Sequence, residues 1–282
     1  MNLENIIKKA SKTLKDYNIP SYELDAEVLL SDLMGVKKEF LILNNKTDIS
    51  AEIIKKYKIA IKRRINREPV AYITGKKEFW STEFFVNKST LVPRPETELL
   101  IYKLVEFYKF KKINILDVGT GSGCILLSLL KELNKSYGTG IDISKKAVQI
   151  AKKNAKNLKL NNRSKFKVFD LEKFNNGKYD LIVSNPPYIP TKDINKLSRD
   201  ITNYEPKNAL DGGLDGLDSF KKVIYMSNYL LKLNGLLSLE IGFNQYLQVS
   251  RLLKLYKFRE THKEYDYKRN VRCIISTKEG FF

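Results

Sequence analysis

The sequence predicts an α/β protein: a mostly parallel, doubly wound sheet of seven strands, preceded by a small α-helical domain and a β-hairpin linker. Three observations predict it. From Lys111 onward, strand candidates alternate with helical stretches, as in a parallel sheet covered on both faces. The last two strand candidates have no helix between them, so they pair as an antiparallel hairpin. The first 75 residues, by contrast, show helical spacing throughout.

In order along the chain, Leu3, Ile6, Ile7, Ala10, Leu14 and Tyr17 recur on one helical face until Pro20 stops the run. Ser21 is placed to cap a second helix carrying Leu24, Val28 and Leu29, with Gly35 just past its end. Ser50 is placed to cap a third, with Ile53, Ile54, Tyr57, Ile61 and Ile65 on one face. The run Lys62, Arg63, Arg64 and Arg67 reads as a solvated face near that helix's C-terminus, where cations are favoured. Residues 76–92 switch to strand formers (Phe79, Trp80, Phe84, Phe85, Val86, Leu91, Val92) broken by polar turns, which suggests the hairpin. A helix follows Pro93–Glu98. The strand candidates are then Ile113–Val118, Tyr137–Ile141, Phe166–Phe169, Asp180–Ser184, Leu236–Ile241, Phe258–Tyr265 and Val271–Ser276, with helices at Ser122–Leu133 and Ser144–Leu158. The implied domains are residues 1–75, 76–95 and 96–282.

Composition narrows the chemistry. One His (His262) and two Cys (Cys124, Cys273) are too few and too scattered for a Cys/His metal site, and His262 sits in a polar stretch with no triad motif around it. No metal is expected. Two distant cysteines make no disulfide framework, so a reducing, cytoplasmic setting is the expectation. No window approaches the ~20 apolar residues of a membrane span, and the first residues have no signal-peptide pattern. The net charge of +19 invites a nucleic-acid partner. Yet 41 of the 51 cations are Lys, as A/T-rich codon usage produces, whereas readers of phosphate and base edges rely on Arg. Direct nucleic-acid binding is therefore not expected.

Three motifs carry chemistry. Asp117-Val118-Gly119-Thr120-Gly121-Ser122-Gly123 follows a buried strand and opens a helix, so the backbone can approach a ligand where free N–H groups favour a carboxylate or phosphate. The spacing departs from the dinucleotide fingerprint, which wants Gly where Cys124 stands, and no P-loop Lys follows. Asp142, ending the next strand, is placed to accept both hydroxyls of a ribose. Asp170, ending the third, is placed to accept from an adenine amine, with Phe169 and Leu171 to pack on the ring. Asp117 suits a cationic ligand, so the set favours S-adenosylmethionine over NAD. The most specific element is Asn185-Pro186-Pro187-Tyr188 after the fourth strand. Adjacent prolines force the chain rigidly out of the sheet and offer carbonyls without N–H groups. The Asn185 side-chain carbonyl and the Pro186 carbonyl can take the two N–H donors of an amide or exocyclic amine, and Tyr188 offers a stacking face.

With these motifs in place, the chain resembles the release-factor glutamine methyltransferases (the HemK/PrmC family) among class I, Rossmann-like methyltransferases. The resemblance runs through Arg67–Gly75, Phe79-Trp80, Leu91–Glu98, the Gly loop, Asn185–Tyr188, Glu205-Pro206, Ala209-Leu210, Gly212–Asp218 and Leu239–Gly242. It implies that Asp117, Gly119, Thr120, Gly121, Ser122 and Gly123 line the methionine part of the cofactor, Asp142 the ribose, and Asp170 with Leu171 the adenine. Asn185 would touch cofactor and substrate, and Asn185, Pro186, Pro187 and Tyr188 would hold the glutamine amide. It further implies methylation of the Gln in the Gly-Gly-Gln loop of class 1 peptide chain release factors, with the helical domain helping to grip the factor. The alternatives are a ribosomal-protein glutamine, an adenine in nucleic acid, or an inactive module that only docks to release factors. The long polar segment 189–213 reads as a loop covering the substrate.

Overall fold

A computed structural model of the chain describes residues 2–278. Two compact units are present among them: residues 2–76 with 198–204, and residues 77–197 with 205–278.

The first unit is helical: α1 (Leu3–Asp16), α2 (Tyr22–Met34), α3 (Lys38–Leu43), α4 (Ala51–Ile65) and α5 (Val70–Thr74). Its core joins Leu3, Leu14, Ile19, Leu29, Leu30 and Tyr57. Ser50 caps α4 by accepting from Ile53 N at 3.3 Å, and Gly35 ends α2 in the left-handed region at φ 66°. Ser21 does not cap as expected: its hydroxyl donates to Asp25 Oδ2 at 2.8 Å, leaving the first turn of α2 without a side-chain cap. The basic run of α4 is not wholly a solvated face either. Arg64 is 4% exposed, donating from Nε to Asp25 Oδ2 (2.7 Å) and pairing through NH1 with Asp200 (2.8 Å). Arg63 forks onto Glu68 with two bonds of 2.8 Å. Asp25 and Asp200, distant in sequence and invisible to helical spacing, turn Arg64 inward, while the Arg63 side chain stays 40% exposed beside Glu68 and Lys62 is exposed.

The second unit opens with a hairpin, β1 (Lys76–Phe79) and β2 (Thr82–Phe85), whose Trp80 and Ser81 take positive φ (50° and 48°) in a two-residue turn. Strand structure stops there. Asn87 turns the chain by accepting from Ser89 N on its side chain (2.9 Å) and from Thr90 N on its carbonyl (3.0 Å), so Leu91 and Val92 lie outside any strand. After a 3-10 turn (Pro95–Thr97) come α6 (Glu98–Tyr108), β3 (Asn114–Val118), α7 (Cys124–Glu132), β4 (Tyr137–Asp142), α8 (Lys145–Asn157), β5 (Ser164–Val168), β6 (Tyr179–Ser184), then α9 (Arg199–Thr202), which belongs to the first unit, and, back in the second, α10 (Asp218–Leu230), β7 (Leu231–Glu240), α11 (Tyr246–Leu255), β8 (Phe258–Tyr265) and β9 (Val271–Lys278).

The seven-stranded sheet runs β5-β4-β3-β6-β7-β9-β8. All neighbours through β7 are parallel; β9 is antiparallel to both β7 and β8. Alternation along the strands feeds two cores: Ile115, Leu181, Val183 and Ile275 pack with α6, α7 and α8, while Leu116, Ile182, Leu237 and Ile274 pack with α10 and α11. Both faces are buried, as parallel strands require. From β3 the chain steps outward to β4 and β5, then returns to the other side of β3 at β6. That reversal opens a crevice at the carboxyl ends of β3 and β6, the place where ligands bind in such sheets.

Candidate active site

The crevice is a cleft of about 1030 Å³, lined by residues of the Gly loop, Asp142, Phe169–Leu171, Asn185–Pro187, Lys88–Arg94, Thr97 and Pro206–Gly213. Its size suits a nucleoside-sized ligand.

On the Gly-loop side, Gly119, Gly121 and Gly123 all take positive φ (72°, 55° and 80°). Beside Gly119 a Cβ would meet open space, so the backbone is bare toward the cleft there. Beside Gly123 it would meet Ala151, Leu127 and Phe166 at 3.2 Å, so that glycine serves helix–sheet packing. Asp142 Oδ2 accepts from Gly121 N (2.9 Å) and Oδ1 from Ser144 N (2.8 Å). Each oxygen keeps a lone pair for a hydroxyl. Burial pushes the Asp142 carboxyl up, against those two bonds. Asp170 caps the 3-10 turn Leu171–Lys173 through Glu172 N (3.1 Å) and is exposed.

Asp117 is fully buried; Thr120 Oγ1 donates to its Oδ2 (2.6 Å), and its Oδ1 has no partner among the described residues. Burial pushes its carboxyl up to about 7. An orphaned buried acceptor beside a bare glycine backbone, with a carboxylate for a ribose and an apolar pair (Phe169, Leu171) next to Asp170, fits the zwitterionic and nucleoside ends of S-adenosylmethionine.

At the end of the neighbouring strand, Ser184 Oγ donates to Val118 O (2.8 Å), tying the end of β6 to the end of β3, and the chain then leaves the sheet through Asn185-Pro186-Pro187. Asn185 Nδ2 donates to Thr97 Oγ1 (3.3 Å), and Thr97 Oγ1 donates to Glu240 Oε2 (2.5 Å). Among the described residues, nothing donates to Asn185 Oδ1 or to the Pro186 carbonyl. Tyr188 departs from expectation. It packs on the core of β6 and β7, its hydroxyl accepts from Arg272 NH2 (3.4 Å), and it does not line the cleft. Burial pushes its phenol up to about 12.

Several supporting residues were not singled out from sequence. Gln245 Nε2 donates to Tyr188 O (2.9 Å) and Gly216 O (3.3 Å), while its Oε1 accepts from Gly242 N (3.0 Å). Gly212 and Gly216 let that loop press on the turn: a Cβ on Gly216 would lie 2.5 Å from Tyr188 O. Thr97, Glu240 and Gly216 fall within stretches that carried the family resemblance, but nothing in local spacing marked them; Gln245 and Arg272 had no signal. The segment 189–213 is ordered rather than a bare loop. It contains 3-10 turns at Thr191–Lys196 and Lys207–Ala209 with α9 between, and its ends are bridged at Ile189 and Asp211. Glu205 anchors its returning limb, accepting from Val92 N (3.2 Å) and Arg94 NH2 (2.5 Å).

This sheet order and cleft define a class I methyltransferase domain. A methyltransferase-domain model matches residues 109–225, and the model described as PrmC N-terminal domain matches residues 5–75. Solved neighbours at 15% identity (a methyltransferase from Pyrococcus furiosus, TM-score 0.53, covering 70% of this chain and 89% of that one) and 21% (ribosomal protein L11 methylase from Lactobacillus delbrueckii subsp. bulgaricus, TM-score 0.50, covering 66% and 81%) share the fold. The chain is 39% identical over 279 residues to the release factor glutamine methyltransferase of Buchnera aphidicola subsp. Schizaphis graminum, covering 99% of this chain and 100% of that one. It is 36% identical over 284 residues to that of Clostridium acetobutylicum, covering 99% and 100%. The chain belongs to the release factor glutamine methyltransferase family.

Among the described residues no group of three or more His, Cys, Asp or Glu side chains could hold a metal ion, and no helix is long and apolar enough to cross a membrane.

Proposed function

We infer that this protein methylates the side-chain amide nitrogen of the glutamine in the Gly-Gly-Gln loop of class 1 release factors, in the cytoplasm, with S-adenosylmethionine as methyl donor. The observation that carries the reading is the pair of open acceptors, Asn185 Oδ1 and the Pro186 carbonyl, in the cleft that the bare Gly loop also lines. When bound, S-adenosylmethionine supplies an electrophilic methyl group. Asp142 would hold its ribose, Asp170 and Leu171 its adenine, and Gly119–Gly123 with Asp117 its amino-acid end.

An amide nitrogen is a poor nucleophile because its lone pair is delocalised into the carbonyl. Acceptance of its two N–H bonds by Asn185 and Pro186 returns density to nitrogen and aims the lone pair along the transfer line. Positioning of this kind is worth ~7–11 kcal/mol, so no strong base is required. The proton leaves to solvent after transfer.

Asn185→Ala is expected to keep the fold and lose most methyl transfer, because one lost acceptor bond costs ~1–3 kcal/mol. Turnover within about threefold of wild type would sink the amide clamp. Label from a labelled donor on a release factor, but neither on that factor with its loop Gln replaced nor on DNA, fixes the substrate.

A further inference from the structure

We propose that Glu240, acting through Thr97, is the positioning residue that fixes which end of the Asn185 amide faces the cleft; this rests on the reading of Asn185 as the substrate clamp. An Asn side chain is nearly symmetric in shape, and only its hydrogen bonds decide whether oxygen or NH2 points at a ligand. Here the NH2 can serve no function in the cleft: a substrate amide nitrogen offers donors, and two donors facing each other repel. The orientation must therefore be imposed from behind.

The imposed order follows from counting protons. Thr97 Oγ1 has one, and it lies 2.5 Å from Glu240 Oε2. A carboxylate has none to give, so ionised Glu240 can only accept, and the Thr97 proton is committed to it. Thr97 can then only accept from Asn185, which it does from Nδ2 at 3.3 Å, and the Asn185 side chain also bears directly on the Glu240 carboxyl, which favours the same orientation. Asn185 Oδ1 is left for the cleft. The carboxylate is fully buried at the end of β7, and its Oε1 has no hydrogen-bond partner among the described residues.

Protonation undoes the order. A neutral Glu240 can donate to Thr97, which frees the Thr97 proton to donate to Asn185 Oδ1 and lets the amide turn over. The charged and titratable groups facing Glu240 are Arg272 on β9 (NH2 3.9 Å from Oε1), Glu96 on the 3-10 turn, Tyr188, and the buried thiols Cys273 and Cys124. Desolvation outweighs the Thr97 hydrogen bond and the Arg272 charge and pushes the carboxyl up to about 7.

The test compares Thr97→Val, Thr97→Ser, Glu240→Gln and Asn185→Ala with the wild-type full chain on release factor, measuring kcat and KM from pH 5.5 to 9. Wild-type kcat is expected to fall on an acid limb near pH 7. Thr97→Val and Glu240→Gln should lose about tenfold in kcat at pH 8, with KM for the donor and the factor within about threefold, and should lose the acid limb. Thr97→Ser, which restores the hydroxyl, should recover both. If Glu240→Gln does not fold, the two Thr97 variants decide alone. Should Asn185→Ala be inactive while Thr97→Val keeps wild-type kcat and its acid limb, the orienting chain is refuted and the clamp stands. Should Asn185→Ala remain active, the clamp itself is wrong and the proposal falls with it.

Discussion

Two fully buried carboxylates stand at the carboxyl ends of parallel strands, Asp117 on β3 and Glu240 on β7, and they are built alike. Each accepts from a threonine hydroxyl (Thr120 at 2.6 Å, Thr97 at 2.5 Å), each leaves one oxygen without a hydrogen bond, and burial pushes each up to about 7. They differ in where the partner comes from. The Asp117–Thr120 pair spans 3 residues; the Glu240–Thr97 pair spans 143. The carboxylate at the end of β3 is thus held within one loop, whereas the one at the end of β7 takes its partner from a segment it meets only in the folded chain.

The likeness is tested through pH. Both folded values lie above the ordinary carboxylate value of ~4, so folding favours the protonated forms. Their stabilising effect is complete below about pH 4 and is lost as pH rises to about 7. Asp117→Asn and Glu240→Gln should each flatten the denaturant-measured stability curve over that window, by up to about 4 kcal/mol for a shift of this size. A variant curve parallel to wild type from pH 4 to 7 would remove that carboxylate from the comparison. The local side of the comparison is sharpened by Asp142→Ala, which frees the Gly121 and Ser144 amides as well as the ribose acceptors. Cofactor affinity by calorimetry should weaken about a hundredfold (~3 kcal/mol); a change below threefold would mean that Asp142 does not hold the ribose. Glycines give the smallest contrast. At Gly216 an added Cβ meets Tyr188 O at 2.5 Å and φ is 77°, so Gly216→Ala should cost about 2–3 kcal/mol. At Gly119, φ is 72° with no neighbour within 4 Å, so Gly119→Ala should cost about 1 kcal/mol. Equal losses in thermal unfolding would contradict the difference in packing.

The same division explains what was legible in the sequence. Gly119–Ser122, Asp142 and Asn185–Pro187 line the cleft because each depends on its own strand end and adjacent backbone, whereas Asp117 and Gly123 lie behind it, one fully buried and the other packed on Ala151, Leu127 and Phe166. The central strands β3, β4 and β6 fell within a residue of their candidates, β3 and β6 because strands buried on both faces demand apolar runs, whereas β7 begins five residues before its candidate. Tyr188 was misplaced because its orientation is set by Arg272, 84 residues away. Ser21 and Arg64 were misread for the same reason in miniature: Asp25 draws both, and helical spacing records no partner. Residues 86–92 look like strand by composition, yet Asn87 gives their backbone a turn to satisfy it.

The strand order β7-β9-β8 has a consequence for chain synthesis. Among the described residues β8 has one strand neighbour, β9, which follows it in sequence and separates it from β7. During translation β8 therefore emerges with no sheet edge to join, and it remains unpaired until about a dozen further residues have been made. The strand that then threads between the two also brings Arg272 beside Glu240 and Tyr188. The Gly loop thus lies in residues made long before β9, whereas the surroundings of Glu240 and Tyr188 are complete only once β9 is in place.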